Sequence, residues 1–140
     1  LGFDKEIREM LTLDCILHNT DRHEKNFGYI KNLSGEIRMA PLYDNGTCLG
    51  ANNICDKSIA DKDMKLLRDS RYDILKMFGT PVFLDERILI SDLQETYELF
   101  SIEEKFFQKA VLELKKGIEI YRQAIDGNKI IIGEKQDGKR

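Results

Sequence analysis

Asp21, Asn26 and Asp44 are residues whose types and spacing can do chemistry together. Asp21 and Asn26 form a D-x-x-x-x-N, and Asp44 stands just before Asn45-Gly46. Phosphoryl transfer from a nucleotide needs an acceptor for the substrate hydroxyl proton and at least two oxygen ligands for magnesium. A carboxylate at 21 suits the first task. An amide oxygen at 26 and a carboxylate at 44 suit the second. Magnesium takes few protein oxygens and completes its octahedron with phosphates and water, so one amide and one carboxylate suffice. The D-x-x-x-x-N spacing alone is weak, because it arises by chance and such residues also cap turns. The element between the three gives them specificity.

That element reads as a β-hairpin. Residues 26–30 (NFGYI) are rich in aromatic and β-branched side chains and predict a strand. Residues 31–35 (KNLSG) carry turn chemistry, with Gly35 able to take a positive φ. Residues 36–40 (EIRMA) alternate polar and apolar, as a half-buried strand does, and Pro41 stops the pairing. An antiparallel hairpin returns the chain to its starting edge. Asn26 and Asp44 then flank one small volume, with Asp21 on the loop just upstream. Their side-chain oxygens are expected on the order of 3–5 Å apart, given magnesium–oxygen distances of about 2.1 Å.

The stretch from His18 to Gly46 resembles the catalytic centre of the HipA-like kinases, a bacterial family with a protein-kinase-like fold. Thr20-Asp21-Arg22-His23-Glu24-Lys25-Asn26-Phe27 is similar to that family's T-D-x-H-x-K-N-aromatic loop. Pro41-Leu42-Tyr43-Asp44 is similar to its later P-[aromatic or Leu]-Y-D element. The Asp-Arg-His-x-x-Asn pattern also resembles the catalytic loop of phosphatidylinositol kinases, distant relatives in the same superfold. The resemblance implies Asp21 as catalytic base, Asn26 and Asp44 as metal ligands, ATP and Mg²⁺ as cofactors, and a protein serine or threonine hydroxyl as acceptor. By family analogy it also implies a DNA-binding antitoxin as partner.

Eukaryotic-type kinases place a histidine two residues before the catalytic Asp, where this chain has Asn19, and follow the metal Asp with Phe-Gly, where it has Asn45-Gly46. No Gly-rich phosphate-covering loop and no strand lysine with a helix glutamate partner is found in the sequence. Those belong to an N-terminal lobe, so the chain reads as a fragment. The fold class expected is α+β: a mostly helical C-terminal lobe over 1–126, with one small hairpin carrying the catalytic loop and the metal-binding Asp, then a charged tail over 127–140.

Around the three central residues, several neighbours have two readings. His23 bonds phosphate or orients Asp21, or it packs locally. Lys25 offsets charge on the transferred phosphoryl group, or it is an exposed loop lysine. His23 and Lys25 are the candidates for nucleotide binding. Arg22 has a planar fork suited to phosphate or to an internal carboxylate, and the internal partner is favoured. Asp14 reads as an anchor for the loop through backbone N–H groups. His18 reads as structural, and Tyr43 as packing beneath the loop.

Helices are predicted over 4–17, 59–78, 85–100 and 101–125 from apolar residues at three- and four-residue spacings. Gly79-Thr80-Pro81 ends the second, Ser91-Asp92 is a candidate break in the third, and Ser101 with Glu104 reads as a capping box for the fourth. On that last helix Lys115, Lys116 and Arg122 read as a solvated face. The 47–58 loop sits where kinases place an activation or substrate-binding segment, and it also reads as a plain surface loop.

The 140 residues are 41% hydrophobic and 34% charged, which argues for a globular domain. A net charge of −3 supplies no global attraction to nucleic acid or acidic lipid. No apolar run approaches the ~18 residues of a membrane span. Cys15, Cys48 and Cys55 show no metal or disulfide spacing, so reduced thiols in a cytosol are expected. The function expected is transfer from ATP to a protein hydroxyl in the cytoplasm. Its rivals are a small-molecule or lipid phosphotransferase and a non-catalytic module that kept the fold.

Overall fold

The computed structural model describes residues 2–49 and 64–125. The protein is α+β and mostly helical, with one two-stranded antiparallel sheet among those residues. Helix α1 (Asp4–Leu17) buries Met10, Leu11, Cys15 and Ile16. It ends where His18 takes φ 54 and the Asn19 N–H closes on the Asp14 carbonyl at 2.8 Å, satisfying a carbonyl that the helix end leaves open. Helix α4 (Glu104–Ile125) buries Phe107, Ala110, Val111, Leu114, Ile118, Tyr121 and Ile125, the stripe read from the sequence. With α2 (Arg71–Phe78), these helices pack pairwise into one core. Helix α3 (Glu86–Leu99) lies on α4 with no fully buried residue, covering parts of Leu89, Ile90, Leu93 and Tyr97.

Two contacts set how these helices meet. An added Cβ at Gly117 would lie 1.8 Å from the Ile16 carbonyl oxygen, so α1 crosses α4 with backbone almost on backbone. The hydroxyl of Tyr121 accepts the Val82 N–H at 2.8 Å and donates to the Thr80 carbonyl at 3.4 Å, tying the segment after α2 to α4. Burial also pushes the thiols up, Cys15 to about 12 and Cys48 to about 11, which keeps both protonated. Cys55 lies outside the described residues.

Strands β1 (Tyr29–Lys31) and β2 (Ile37–Met39) pair antiparallel, with Tyr29 opposite Met39 and Lys31 opposite Ile37. The turn forms as its residues require: Gly35 has φ 87, and Asn32 Oδ1 accepts the Ser34 hydroxyl and the Glu36 N–H. The last bond of the ladder runs from Ala40 N–H to the Gly28 carbonyl at 2.8 Å, just before Pro41. The first strand begins later than expected, because the Asn26 N–H is engaged by the His23 carbonyl in the loop. The strands are also not half-buried, for Tyr29, Ile30 and Ile37 are exposed. Alternation tells which side chains share a face and not whether anything covers it.

The helix expected over 101–125 begins at Glu104, and Ser101 does not cap it. Ser101 has φ 53 and belongs to the end of α3. Its N–H bonds the Glu98 carbonyl at 3.1 Å, and the Ile102 N–H reaches the Tyr97 carbonyl at 2.9 Å. That pair is a Schellman closure, and a residue held in the left-handed region cannot also be an extended N-cap. Helix α3 runs unbroken through Ser91 and Asp92, whose exposed side chains do not compete for its backbone. In the described part of 59–78, residues 64–69 form a turn and α2 starts at Arg71. The Ser70 hydroxyl caps α2, accepting the Asp73 N–H at 3.1 Å. Residues 59–63, most of the 47–58 loop and the 127–140 tail lie outside the described residues.

Candidate active site

One buried side chain organises the site. Arg22 is 2% exposed and uses all five of its N–H groups. Its fork grips Asp14 of α1, with Nε to Oδ2 at 2.8 Å and Nη2 to Oδ1 at 2.9 Å. Nη1 donates to the Asn26 carbonyl at 2.9 Å and the Tyr43 carbonyl at 2.8 Å, and Nη2 donates to Asn45 Oδ1 at 2.8 Å. A single guanidinium thus joins α1, the loop carrying Asn26, and both neighbours of Asp44. Asn19 extends the network, with Nδ2 at 3.2 Å from Asp14 Oδ1 and Oδ1 accepting the Thr47 hydroxyl at 2.6 Å. Burial pushes the Asp14 carboxyl up, offset in part by the bond and charge of Arg22, while the bond to Asp14 raises Arg22. Asp14 is therefore an anchor, as the sequence suggested, but through side chains and not backbone N–H groups. Arg22 takes the internal carboxylate partner expected of it.

Asn26 is buried, and its bonds fix its orientation. Oδ1 accepts the His23 N–H at 2.9 Å, and Nδ2 donates to the Asp21 carbonyl at 3.1 Å. The same Nδ2 lies 3.4 Å from Asp44 Oδ2. The hairpin thus brings these two side chains into contact at its base. Asp44 has φ 56. That region costs an L-residue about 1–2 kcal/mol, less for aspartate than for bulkier types. Arg22 keeps the peptide there by holding Tyr43 and Asn45 on either side.

The remaining expected residues divide. His23 packs locally, its Nδ1 accepting the Lys25 N–H at 3.2 Å. The Lys25 side chain is exposed at the rim of the loop. Tyr43 does not pack beneath the loop; it is exposed and donates its hydroxyl to the Lys25 carbonyl at 3.0 Å. A tyrosine has a polar tip to place, and here it bonds the loop from outside. His18 is buried against α4, with Nδ1 at 3.5 Å from Glu113 Oε2, which is a structural position. Arg122 is more than a solvated face, since it reaches Glu86 of α3 at 3.6 Å.

Sequence reasoning missed Lys65. Its Nζ lies 2.8 Å from Asp21 Oδ1, across 44 positions of chain. The bond from Lys65 holds the Asp21 carboxyl below its ordinary value, with the charges of Lys65 and His23 adding to the effect. No local spacing signals such a pair.

Among curated proteins, part of the chain is similar to the serine/threonine-protein kinase CtkA of Helicobacter pylori (strain J99 / ATCC 700824), at 34% identity over 59 residues. The aligned region is 39% of this chain and 18% of that kinase, so the chain spans less than a fifth of the relative's length. No family model and no solved structure matches. The chain is distantly similar, over part of its length, to a serine/threonine-protein kinase.

In this structure Asn26 turns its amide nitrogen, not its oxygen, towards Asp44, so the two present one carboxylate and one amide that would have to turn over to share an ion. Asn26 Oδ1 keeps a second lone pair beyond the His23 N–H. The exposed Asp44 carboxylate lies against the amide nitrogen of the same side chain. Among the described residues no group of three His, Cys, Asp or Glu is placed to hold a metal. An ion held here would draw its other ligands from phosphates and water, as magnesium does. No helix among the described residues is long and apolar enough to cross a membrane.

Proposed function

We propose that this chain carries the phosphoryl-transfer centre of a HipA-like protein kinase, which uses ATP and magnesium to phosphorylate a serine or threonine hydroxyl. The observation that carries the reading is the contact of Asn26 with Asp44 at 3.4 Å, beside a half-exposed Asp21 and held by one buried arginine. Asn26 and Asp44 are the residues that would hold magnesium, which when bound neutralises charge on the nucleotide phosphates. Asp21, kept ionised by Lys65, accepts the hydrogen bond of the acceptor hydroxyl and takes its proton. Lys25, exposed at the rim of the loop, is assigned to the nucleotide phosphates, and His23, whose Nδ1 accepts the Lys25 N–H, steadies that turn of the loop. Such transition states are loose, so positioning and charge neutralisation supply most of the rate.

The partial similarity to a serine/threonine-protein kinase supports the class of reaction. The HipA-like assignment rests on the 20–27 and 41–44 motifs. A DNA-binding antitoxin partner and a cytoplasmic location follow from family analogy alone. The deciding experiment uses the full-length protein. Asp21→Asn is expected to lower transfer about 10²- to 10⁴-fold, the range of a general base. Binding of ATP with Mg²⁺, followed by isothermal titration, should be largely retained. Equal loss of binding and rate would put Asp21 in the metal shell and refute its assignment.

A further inference from the structure

We infer that Lys65 is a positioning residue for Asp21, holding one carboxylate oxygen so that the other faces the acceptor hydroxyl; this rests on the phosphoryl-transfer reading above. The Lys65 ammonium engages Asp21 Oδ1 at 2.8 Å, while Oδ2 accepts no hydrogen bond among the described residues. The two side chains are 56% and 47% exposed, so the carboxylate is within reach of an incoming group. A half-exposed ion pair contributes little to folding. What it fixes is a direction. A carboxylate with neither oxygen held rotates about its Cβ–Cγ bond, and an acceptor must then wait for the right orientation.

The lysine is presented by a built turn and is not a chance reach of a long side chain. Met64 is 4% exposed and sits in the core. Its N–H bonds the Asp69 carbonyl at 2.8 Å, and the Arg68 N–H returns to the Met64 carbonyl at 2.7 Å. The Lys65 N–H itself bonds the Thr20 carbonyl at 3.2 Å, beside Asp21. Backbone and side chain of one residue therefore seize the catalytic loop at adjacent positions. The Ser70 cap of α2 follows directly, so the turn is braced by the core on one side and a helix start on the other.

The test compares Lys65→Met and Lys65→Arg with wild type in the full-length protein. Lys65→Met is expected to lower kcat about 10- to 100-fold, the size of a positioning effect. The acceptor KM, the affinity for ATP with Mg²⁺ and the melting temperature should stay near wild type. Lys65→Arg should recover most of kcat, because a guanidinium also bonds one carboxylate oxygen from this position. In nucleotide-free protein the ¹³C carboxyl resonance of Asp21, assigned through Asp21→Asn, should move in Lys65→Met and return towards wild type in Lys65→Arg. An unchanged kcat in Lys65→Met, or an unmoved resonance, overturns the inference. So does a loss of ATP affinity in step with kcat, which would make Lys65 a phosphate ligand. A wild type that transfers nothing sinks the functional reading and this inference together, whereas an active wild type matched by Lys65→Met removes this inference alone.

Discussion

Arg22 holds two loops to one helix with a single buried charge, and its removal would leave the buried Asp14 carboxylate with only the Asn19 amide and no countercharge. Arg22→Met is expected to destabilise the protein by about 3–5 kcal/mol, the cost of breaking a buried pair from one side. Lys at 22 should recover little, since an ammonium cannot supply the fork to Asp14 together with the bonds to Asn26, Tyr43 and Asn45. The double variant Asp14→Leu with Arg22→Met should lose clearly less than the sum of the single variants, because no charge is then stranded. Urea unfolding of the four proteins reads this directly, and additive losses would show that the pair is not the source of the effect. At this scale the sequence was most informative where contacts are local. Asp21 and Asn26 are five residues apart, and one hairpin links Asn26 to Asp44. Arg22 was also readable, because a fork among loop residues has few suitable partners. Lys65 was not, since its contact with Asp21 joins residues 44 positions apart, which no spacing rule links.

The helices show why strong patterns were legible and their ends were not. The stripe of α4 appears in the sequence because burial imposes a 3.6-residue period over its whole length. Ser101 misled because one residue carries the signal of an N-cap while serving as the left-handed end of the preceding helix. Two helices meet there, and local chemistry does not say which of them takes the residue. Gly117 gave no signal either, since a glycine inside a helix reads only as a poor helix former. The structure assigns it a packing role: it lets the α4 backbone pass the Ile16 carbonyl. Alanine there gains about 1 kcal/mol of helix propensity. Its Cβ must push against backbone and not a yielding side chain, and overpacking of that kind costs about 1–3 kcal/mol. Gly117→Ala is therefore expected to lower stability, by up to about 2 kcal/mol after the propensity gain. The shift should also reach the site, because Ile16 lies close along α1 to Asp14 and its bond to Arg22. Denaturation reads the first effect. A stabilised Gly117→Ala would mean that α1 and α4 cross less tightly than these atoms indicate.

At the scale of the whole molecule, most candidate residues lie at the surface of the described part, with Asn26 buried behind them. Asp44 and Lys25 are exposed, Asp21 is half-exposed, and the hairpin beside them shows Tyr29, Ile30, Leu33 and Ile37 to solvent. A two-stranded hairpin is marginal by itself. Here the Phe3 ring at the start of α1 lies 4.6 Å from that of Tyr29, one apolar contact that steadies it. Kinase chemistry needs the nucleotide enclosed, because charge neutralisation in a hydrated site acts in a high dielectric and is worth far less. On the proposed reading, the acceptor base Asp21, the ligands Asn26 and Asp44 and the supporting Lys65 come from one wall. Residues 1–140 alone are accordingly expected to bind ATP with Mg²⁺ weakly and to transfer phosphate negligibly beside the full-length protein. The exposed apolar side chains of the hairpin should also promote association of the isolated 140 residues, visible by sedimentation as a concentration-dependent rise in mass. The assay uses purified residues 1–140 and the full-length protein side by side, each with labelled ATP, Mg²⁺ and a lysate as acceptor. Robust transfer by the 140 residues would mean that this one wall suffices, and that the nucleotide is enclosed by groups other than a second lobe.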